Sequence, residues 1–406
     1  MNGFADGFGT GPSSGPAHGR GQGHGHGYWV PPTEVERQLY EAGLRGDTEA
    51  QLRVLAAEDL YIGQYRHEVE AEPDTVSWYS VTDTASGRLC RPVLTRGMLP
   101  PWQPGWVFHE VTLDWVAQFP WTDPAQWLAV NGGTPAAVHL AASPQHRAVW
   151  RRRYAENELS TRHRLLALRT GPLLGPLAYG LACGAHLAVR DGVPWNEVGT
   201  VYHGYRDERR LMLRDWGLGD HDSWQKQLAA LLDFANSPAQ YEYALWVREE
   251  LRRARGELPH PDLWRETAAG TLQDRGAPSP VVMEMEEVVR RVMRYEARFR
   301  ADGLLPEDGW VKSAAGYDYG RAVCLARWGL SARFCSPHEA EQAIVHAGAL
   351  CRSAYLSWEE FSAGYVLGRV LRFDDEEYGP YYQDMLTAHR LLTENEGSPW
   401  RNIPWR

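Results

Sequence analysis

The spacing of apolar residues differs between the two halves of the chain, and in the first half it is typical of short strands. Residues 76–81 contain Val, Trp and Tyr, residues 88–93 contain Leu, Cys and Val, and the two stretches flank a polar turn. Residues 127–130 and 137–140 repeat this order around an Asn-Gly-Gly-Thr-Pro turn. Stretches of this kind, with imperfect alternation and turn residues between them, are typical of β-hairpins.

A helical start is expected before these strands. Thr33 and Glu36 have the spacing of a capping box, in which two side chains bond the backbone N–H groups that open a helix. Apolar residues follow at helical intervals, and a second short helix is expected after Asp47. Residues 33–145 are therefore predicted to form a small α+β domain.

From residue 170 onward the pattern is mainly helical, which predicts a larger, mainly α-helical domain over residues 170–406. Its clearest helix covers residues 281–301, where apolar residues recur at steps of four and three: Val281, Met285, Val288, Val292, Tyr295 and Phe299. Such a stripe can be a coiled-coil seam for a partner, but packing on the domain's own core is favoured. Residues 146–169, rich in charged side chains, are predicted to be a linker or seam helix.

The segment from Thr170 to Val189 has no formally charged residue and nearly the length of a membrane-spanning helix. Its several glycines and prolines, and His186 near its end, leave it weakly hydrophobic. A buried helix of a globular domain is therefore expected here, and no membrane partner is predicted.

The net charge of the protein limits which classes of binding partner are expected. The 52 acidic residues exceed the 42 basic ones, which gives a formal net charge of −10. Nucleic acid is not expected as the main partner, because phosphate binding needs a concentrated positive potential. Only Lys226 and Lys312 are lysines, and the resulting arginine bias suggests a GC-rich, actinobacterial genome.

The cysteines and the N-terminal residues bear on the compartment. The five cysteines have no Cys-x-x-Cys spacing, which predicts neither a disulfide framework nor a zinc site. Residues 1–30 are mostly Gly, Pro, Ser and His, a composition typical of a disordered tail, and they lack the apolar segment of a secretory signal. A cytoplasmic protein without a metal or cofactor is expected.

Several motifs in the last quarter of the chain occur in an order found in a known bacterial family. The motifs are Tyr317-Asp318-Tyr319-Gly320-Arg321, Arg327-Trp328-Gly329, Ser357-Trp358, Gly368-Arg369 and a final Ser398-Pro399-Trp400. Together with the helices before them, they resemble the domain of unknown function numbered 1266 over residues 170–406. The family's activity is undefined, so the resemblance implies a helical domain and no particular reaction.

Residues 33–145 resemble the N-terminal domain of SseB-type proteins. The resemblance rests on the helical start, the strand end Val93-Leu94-Thr95 and the apolar strand that enters Asn131-Gly132-Gly133. The family more often has Asn-Pro-Gly at this turn. Its members are largely non-enzymatic or uncharacterised, so the resemblance implies a non-catalytic domain with a link to secretion or stress.

The strongest candidate for chemistry lies on the helix that begins near Tyr317. Asp318, Arg321 and Trp328 fall on one face of this helix, which places a carboxylate and a guanidinium beside large apolar residues. As a structural element, the pair would lock the helix to its neighbours. As a pocket, Arg321 or Arg369 would hold an anionic group while Asp318 acts as a base. The structural interpretation is favoured, since no nucleophile has a recognisable spacing.

Two further motifs bring a serine and a carboxylate together. Ser336 with Glu339, and Ser357 with Glu360, have capping-box spacing, and the second motif includes Trp358. The sequence has no Gly-x-Ser-x-Gly elbow and no His-Glu-x-x-His pair, so neither a serine hydrolase of that type nor a zincin is supported. No catalytic or metal-binding residue is assigned.

Two functions remain open. The first is a non-enzymatic protein-interaction or regulatory adaptor, with another protein as its partner and a small-molecule ligand as a further possibility. The second is an enzyme or toxin-like hydrolase with a polar pocket around Asp318, Arg321, Glu339, Trp358 and Arg369. The two differ in whether these side chains line an open concave pocket or interlock in a closed core. Trp400, which follows Ser398-Pro399, and Trp405 are expected to pack the end of the chain onto the helical domain.

Overall fold

Two compact units make up the chain in the computed structural model, which describes residues 29–72, 75–84, 86–100, 105–121, 126–156, 163–168, 171–199 and 205–406. The first unit contains the residues up to 160, and the second contains nearly all residues from 171 onward. The first unit contains a sheet and the second is mostly helical, which confirms the predicted fold class. The predicted tail covers residues 1–30, and residues 1–28 lie outside the described residues.

The N-terminal unit is built on one six-stranded sheet. Its strands are β1 (Leu60–Tyr65), β2 (Val81–Thr82), β3 (Leu89–Thr95), β4 (Trp106–Val111), β5 (Trp127–Val130) and β6 (Val138–Ala141). The order is β4-β1-β3-β5-β6, with β2 paired to β3, and only the β3–β5 pair is parallel. The helices are α1 (Glu34–Leu44), α2 (Thr48–Ala56), α3 (Arg66–Ala71), α4 (Leu113–Gln118) and α5 (Pro144–Glu156). They and the sheet enclose a core that includes Leu39, Leu60, Leu128 and Trp150.

The predicted hairpins differ in how closely the sheet follows them. β5 and β6 form the expected antiparallel pair, with Leu128 opposite Leu140. The earlier hairpin is shorter than predicted, because only Val81 and Thr82 pair with β3. β1 and β4 were not anticipated, although they pair over six residues. Leu60, Tyr61 and Ile62 are all buried, so β1 lacks the alternation that marks a half-exposed strand.

The start of α1 is only half a capping box. The Thr33 hydroxyl accepts from the N–H of Val35, as a cap does. Glu36 instead is fully buried, and its carboxylate accepts from the Thr95 hydroxyl and from the N–H of Gly97. This carboxylate therefore ties α1 to the end of β3 through contacts that sequence spacing does not show.

The C-terminal unit is an assembly of twelve helices among the described residues. They are α6 (Gly175–Cys183), α7 (Ala185–Asp191), α8 (Tyr205–Trp216), α9 (His221–Leu232), α10 (Ala239–Arg255), α11 (Pro261–Asp274), α12 (Ser279–Asp302), α13 (Gly316–Ser331), α14 (Pro337–Ala354), α15 (Trp358–Phe373), α16 (Pro380–Glu394) and α17 (Pro399–Asn402). α13 and α15 lie within the core, and most of their side chains are buried. Within the described part of the chain, no helix has both the length and the apolar character needed to cross a membrane.

The apolar stripe of α12 packs inside the unit, as predicted. Met285, Val288, Val292, Tyr295 and Phe299 are all buried in the helical core. Val281, at the first turn, is 42% exposed. The stripe is therefore occupied by the unit's own helices over most of its length.

Candidate functional site

Asp318 and Arg321 form a buried ion pair one turn apart on α13. Asp318 has no exposed surface, and its two carboxylate oxygens accept from the Ser237 N–H at 3.0 Å, the Ser237 hydroxyl at 2.8 Å and the Arg321 guanidinium. Its position in the first turn of α13 adds a favourable interaction with the helix dipole. The pair therefore links α13 to the turn before α10.

Aromatic rings and an amide complete the surroundings of Arg321. Its guanidinium carbon lies 4.1 Å from the centre of the Tyr317 ring and 5.6 Å from that of Trp216. The side-chain amide of Asn236, when its oxygen is turned towards Arg321, accepts from the same guanidinium at 2.5 Å. Trp328 is half-buried and packs against Trp216, with ring centres 6.0 Å apart. Arg321 is thus held by an anion, an amide and two rings, an arrangement typical of a fixed structural arginine.

Glu339 is not part of this group, and it caps the start of α14. Its carboxylate accepts from the Ser336 N–H at 2.8 Å and from the Ser336 hydroxyl at 2.7 Å, while that hydroxyl accepts from the Glu339 N–H. This is the predicted capping box. The hydrogen bond from the Ser336 backbone lowers the pKa of Glu339 below its usual range, because it stabilises the charged carboxylate.

Trp358 belongs to an aromatic cluster that holds the last residues of the chain. Its indole N–H donates to the carbonyl of Ile403 at 2.8 Å, and its ring stacks on Trp400 and meets Trp405 edge-on. The indole of Trp405 donates to the carbonyl of Tyr355 at 2.9 Å. The final segment is therefore attached to the helical unit by its tryptophans, in the way the sequence predicted.

Arg369 is a buried arginine on α15 that has no ion pair with any described carboxylate. Its Nε donates to the carbonyl of Tyr381 at 3.3 Å, and its guanidinium carbon is 5.5 Å from the centre of that ring. Of the six residues singled out from the sequence, Arg321 and Trp328 lie against Trp216, and Asp318 is paired with Arg321. Glu339, Trp358 and Arg369 each have contacts of their own elsewhere.

The helical core contains three hydrogen-bonded polar side chains that sequence analysis missed, and we call them the Ser362 chain. The Ser362 hydroxyl lies 2.9 Å from Nε2 of His186 and 2.8 Å from Nδ1 of His389. A hydroxyl has one proton, so it donates to one imidazole and accepts from the other. These three side chains come from α15, α7 and α16 and are separated by up to about 200 residues, so no local motif could have shown them.

Both histidines that bond Ser362 are held in the neutral form. Burial lowers the pKa of His186 well below its usual range, with a smaller contribution from His389. Burial also lowers the pKa of His389, to about 4, although the Glu359 carboxylate partly opposes the shift. The His186 ring stacks on Tyr365 with centres 4.1 Å apart. Ser362 itself is fully buried.

An open groove of about 620 Å³ lies on the outside of the helical unit, between α6 and α14. Pro176, Val345 and Ala349 form its apolar walls, and Tyr179, Arg352 and Arg406 supply its polar groups. Small residues allow the two helices to approach closely, since a Cβ on Gly348 would lie 2.8 Å from the Cα of Gly180. This arrangement, which we call the α6/α14 groove, has the size of a typical binding site.

Within the α6/α14 groove, the Arg352 guanidinium carbon lies 3.9 Å from the centre of the Tyr179 ring. Tyr179 is 3% exposed, and its hydroxyl proton has no acceptor among the described residues. Burial raises the pKa of Tyr179 above its usual value, and the Arg352 guanidinium partly opposes this rise. The phenol is therefore a neutral donor at neutral pH.

Comparison with known families bears on the helical unit only. Residues 212–405 match the family model described as "Protein of unknown function (DUF1266)". The match agrees with the resemblance found in the C-terminal motifs and does not extend to the sheet-containing unit. No curated protein and no solved structure matches the chain.

Proposed function

We propose that this is a non-enzymatic protein-interaction or regulatory protein, and that its helical unit binds a segment of a partner protein in the α6/α14 groove. The observation that carries the proposal is the groove itself. It combines apolar walls with two arginines that have no carboxylate partner in the described part of the chain. Because the groove is open along one side, it suits an extended or helical peptide segment.

Exposed apolar residues next to the groove support the same proposal. Leu173 and Leu174, which directly precede α6, are 49% and 70% exposed. Val345, in the groove wall, is also exposed. Large apolar side chains exposed around a groove are typical of protein-binding surfaces. A cytoplasmic location, an actinobacterial origin and an SseB-type N-terminal domain linked to secretion or stress are part of the proposal and rest on the sequence patterns alone.

The proposal is tested by photo-crosslinking in cells with the full-length protein. A photo-reactive phenylalanine derivative replaces Val345 in the groove wall, and the matched control carries it at Val281, which is similarly exposed on α12. We expect one partner protein to crosslink from position 345 and not from 281. Ala349→Leu, which fills the groove from an exposed helical position, should abolish that crosslink, whereas Ala254→Leu on α10 should not.

The outcome that contradicts the proposal is equally concrete. Crosslinks that are the same from positions 345 and 281, or that persist with Ala349→Leu, would show that the groove does not bind the partner. Thermal unfolding of each variant checks that a lost crosslink does not reflect a lost fold.

The Ser362 chain favours a hydrolase as the second candidate function. A serine hydroxyl bonded to imidazole is the arrangement that activates a nucleophile, provided that a substrate can reach it. A fluorophosphonate probe, followed by mass spectrometry of the modified peptide, decides between the candidates. Labelling of Ser362 in the native protein, absent in Ser362→Ala, would replace the interaction proposal with a hydrolase, and we expect no labelling.

A further inference from the structure

We infer that the segment bound in the α6/α14 groove presents a carboxylate next to an apolar side chain, with the carboxylate bonded by the Tyr179 hydroxyl and the Arg352 guanidinium. The inference rests on the proposed function and specifies its ligand. Its starting point is Tyr179, a residue that lines the groove and whose buried hydroxyl has no acceptor for its proton in the described residues. A buried donor left unbonded destabilises the protein, so an acceptor brought by a ligand would remove this penalty.

The positive charge of the groove identifies the acceptor as an anion. Arg352 and Arg406 both line it, and neither has an ion pair with a carboxylate in the ranges that the structure describes. The chain as a whole has ten more acidic than basic residues, and many arginines of the helical unit have acidic partners, such as Arg248 with Glu296. The groove is therefore a local positive site on an acidic protein, which favours an anionic ligand.

Packing of the chain's end explains why the two arginines lie in one groove. Trp405 packs edge-on against Tyr179, with ring centres 5.5 Å apart, and this contact places the next residue, Arg406, at the groove. Arg352 is placed by stacking on the same tyrosine ring. Tyr179 thus contacts both the Arg352 guanidinium and the residue before Arg406. A planar carboxylate can accept from a tyrosine hydroxyl and from guanidinium groups that line one groove.

The apolar walls identify what accompanies the carboxylate. Pro176, Val345 and Ala349 have no polar side-chain atoms, so most of the groove favours an aliphatic or aromatic side chain. A peptide with Asp, Glu or a terminal carboxylate beside a Leu, Ile, Phe or Val matches both parts. A phosphate group, with its higher charge and third oxygen, matches the predominantly apolar lining less well.

The test uses the intact protein and a phage-displayed library of random peptides. Peptides are selected on wild-type protein, synthesised, and measured by fluorescence polarisation against Arg352→Gln, Tyr179→Phe and the control Arg255→Gln, which removes the same charge from an exposed position on α10. We expect selected peptides to contain an acidic group beside an apolar residue. The dissociation constant should rise about tenfold or more with Arg352→Gln, and less with Tyr179→Phe, since the arginine contributes a full charge as well as hydrogen bonds to the carboxylate. The control should leave it unchanged.

The outcomes separate this inference from the proposed function. Peptides that bind without an acidic group, or whose affinity is unchanged by Arg352→Gln but lost with Ala349→Leu, would overturn the carboxylate and leave the groove as a peptide site. If selection yields no peptide whose binding depends on the groove, both fail. Tyr179→Phe removes a buried hydroxyl that is unbonded in the described part of the free protein, so thermal stability should not fall in this variant, and a binding loss can be assigned to contact with the peptide.

Discussion

At the scale of single residues, the Asp318–Arg321 pair gives the clearest energetic prediction. Arg321→Met keeps most of the side-chain volume but leaves the Asp318 carboxylate buried without its cation. We expect the free energy of unfolding to fall by about 3–5 kcal/mol, the usual result of breaking a buried pair on one side. Urea unfolding measures the change, with Arg255→Met as an exposed control. A loss below about 1 kcal/mol would show that the pair does not stabilise the fold.

The buried histidines predict how stability depends on pH. An unfolded histidine has a pKa near 6.5, whereas the pKa of folded His389 is about 4. As the pH falls from about 6.5 to 4, the unfolded state therefore binds a proton that the folded state excludes, and stability is lost. His186, whose pKa is lowered by burial, acts in the same direction. The melting temperature should be lower at pH 5 than at pH 7.

Substitution separates this effect from general acid denaturation. His389→Gln removes one titrating group and keeps a hydrogen-bonding side chain near Ser362, so the fall in melting temperature between pH 7 and 5 should become smaller. His346→Gln changes an exposed histidine of α14 and should leave the fall as it is. Equal pH dependence in wild type and His389→Gln would contradict the assignment.

Some contacts between individual residues could be predicted from the sequence, and others could not. Spacing on one helix correctly placed Asp318 beside Arg321, because a separation of three residues fixes their geometry. It also predicted the Ser336–Glu339 cap for the same reason. The partners of Glu36 and the three members of the Ser362 chain are distant in sequence, so only the packing of whole elements brings them together.

At the scale of elements, glycines control how closely helices pack. The backbones of α6 and α14 are in contact at Gly180 and Gly348. We expect Gly348→Ala to push these helices apart and lower the free energy of unfolding by roughly 1–3 kcal/mol, as overpacked positions do. Gly270→Ala on α11, where a Cβ meets nothing within 4 Å, should instead raise it by about 0.5–1 kcal/mol. Urea unfolding of the two variants should give changes of opposite sign.

The sheet shows which elements could be predicted. β5 and β6 are adjacent along the chain and joined by turn residues, so their pairing was evident from the sequence. β1 and β4 are far apart in sequence, and the first is buried on consecutive positions. Their pairing depends on the register with β3, which local patterns do not specify.

At the scale of the whole molecule, each unit has a hydrophobic core of its own. We expect calorimetry to show Leu128→Ala lowering the melting temperature of the N-terminal unit and Leu325→Ala lowering that of the helical unit, since each creates a cavity worth about 2–5 kcal/mol. Tryptophan and circular-dichroism signals help assign the transitions. Equal shifts of every transition by both substitutions would show instead a single cooperative core.

The fold class was predictable because it depends only on the repeat of apolar residues, near two in the first unit and near 3.6 in the second. The α6/α14 groove was not predictable in the same way. Tyr179, Arg352 and Arg406 come from three distant parts of the chain, and only the docking of the final tryptophans brings Arg406 to the other two.

The attachment of Trp400 and Trp405 to the helical core has a consequence for biosynthesis. Trp400 donates to the carbonyl of Ala182, so the start of the helical unit is bonded to a residue synthesised more than two hundred positions later. At ordinary rates of translation, on the order of ten to fifty seconds separate the two. During this interval α6 has emerged from the ribosome without its final neighbours, and its apolar surface needs protection. We therefore expect nascent chains stalled before residue 398 to bind general chaperones, and chains carrying an added C-terminal linker that brings residue 405 out of the ribosome to be released from them.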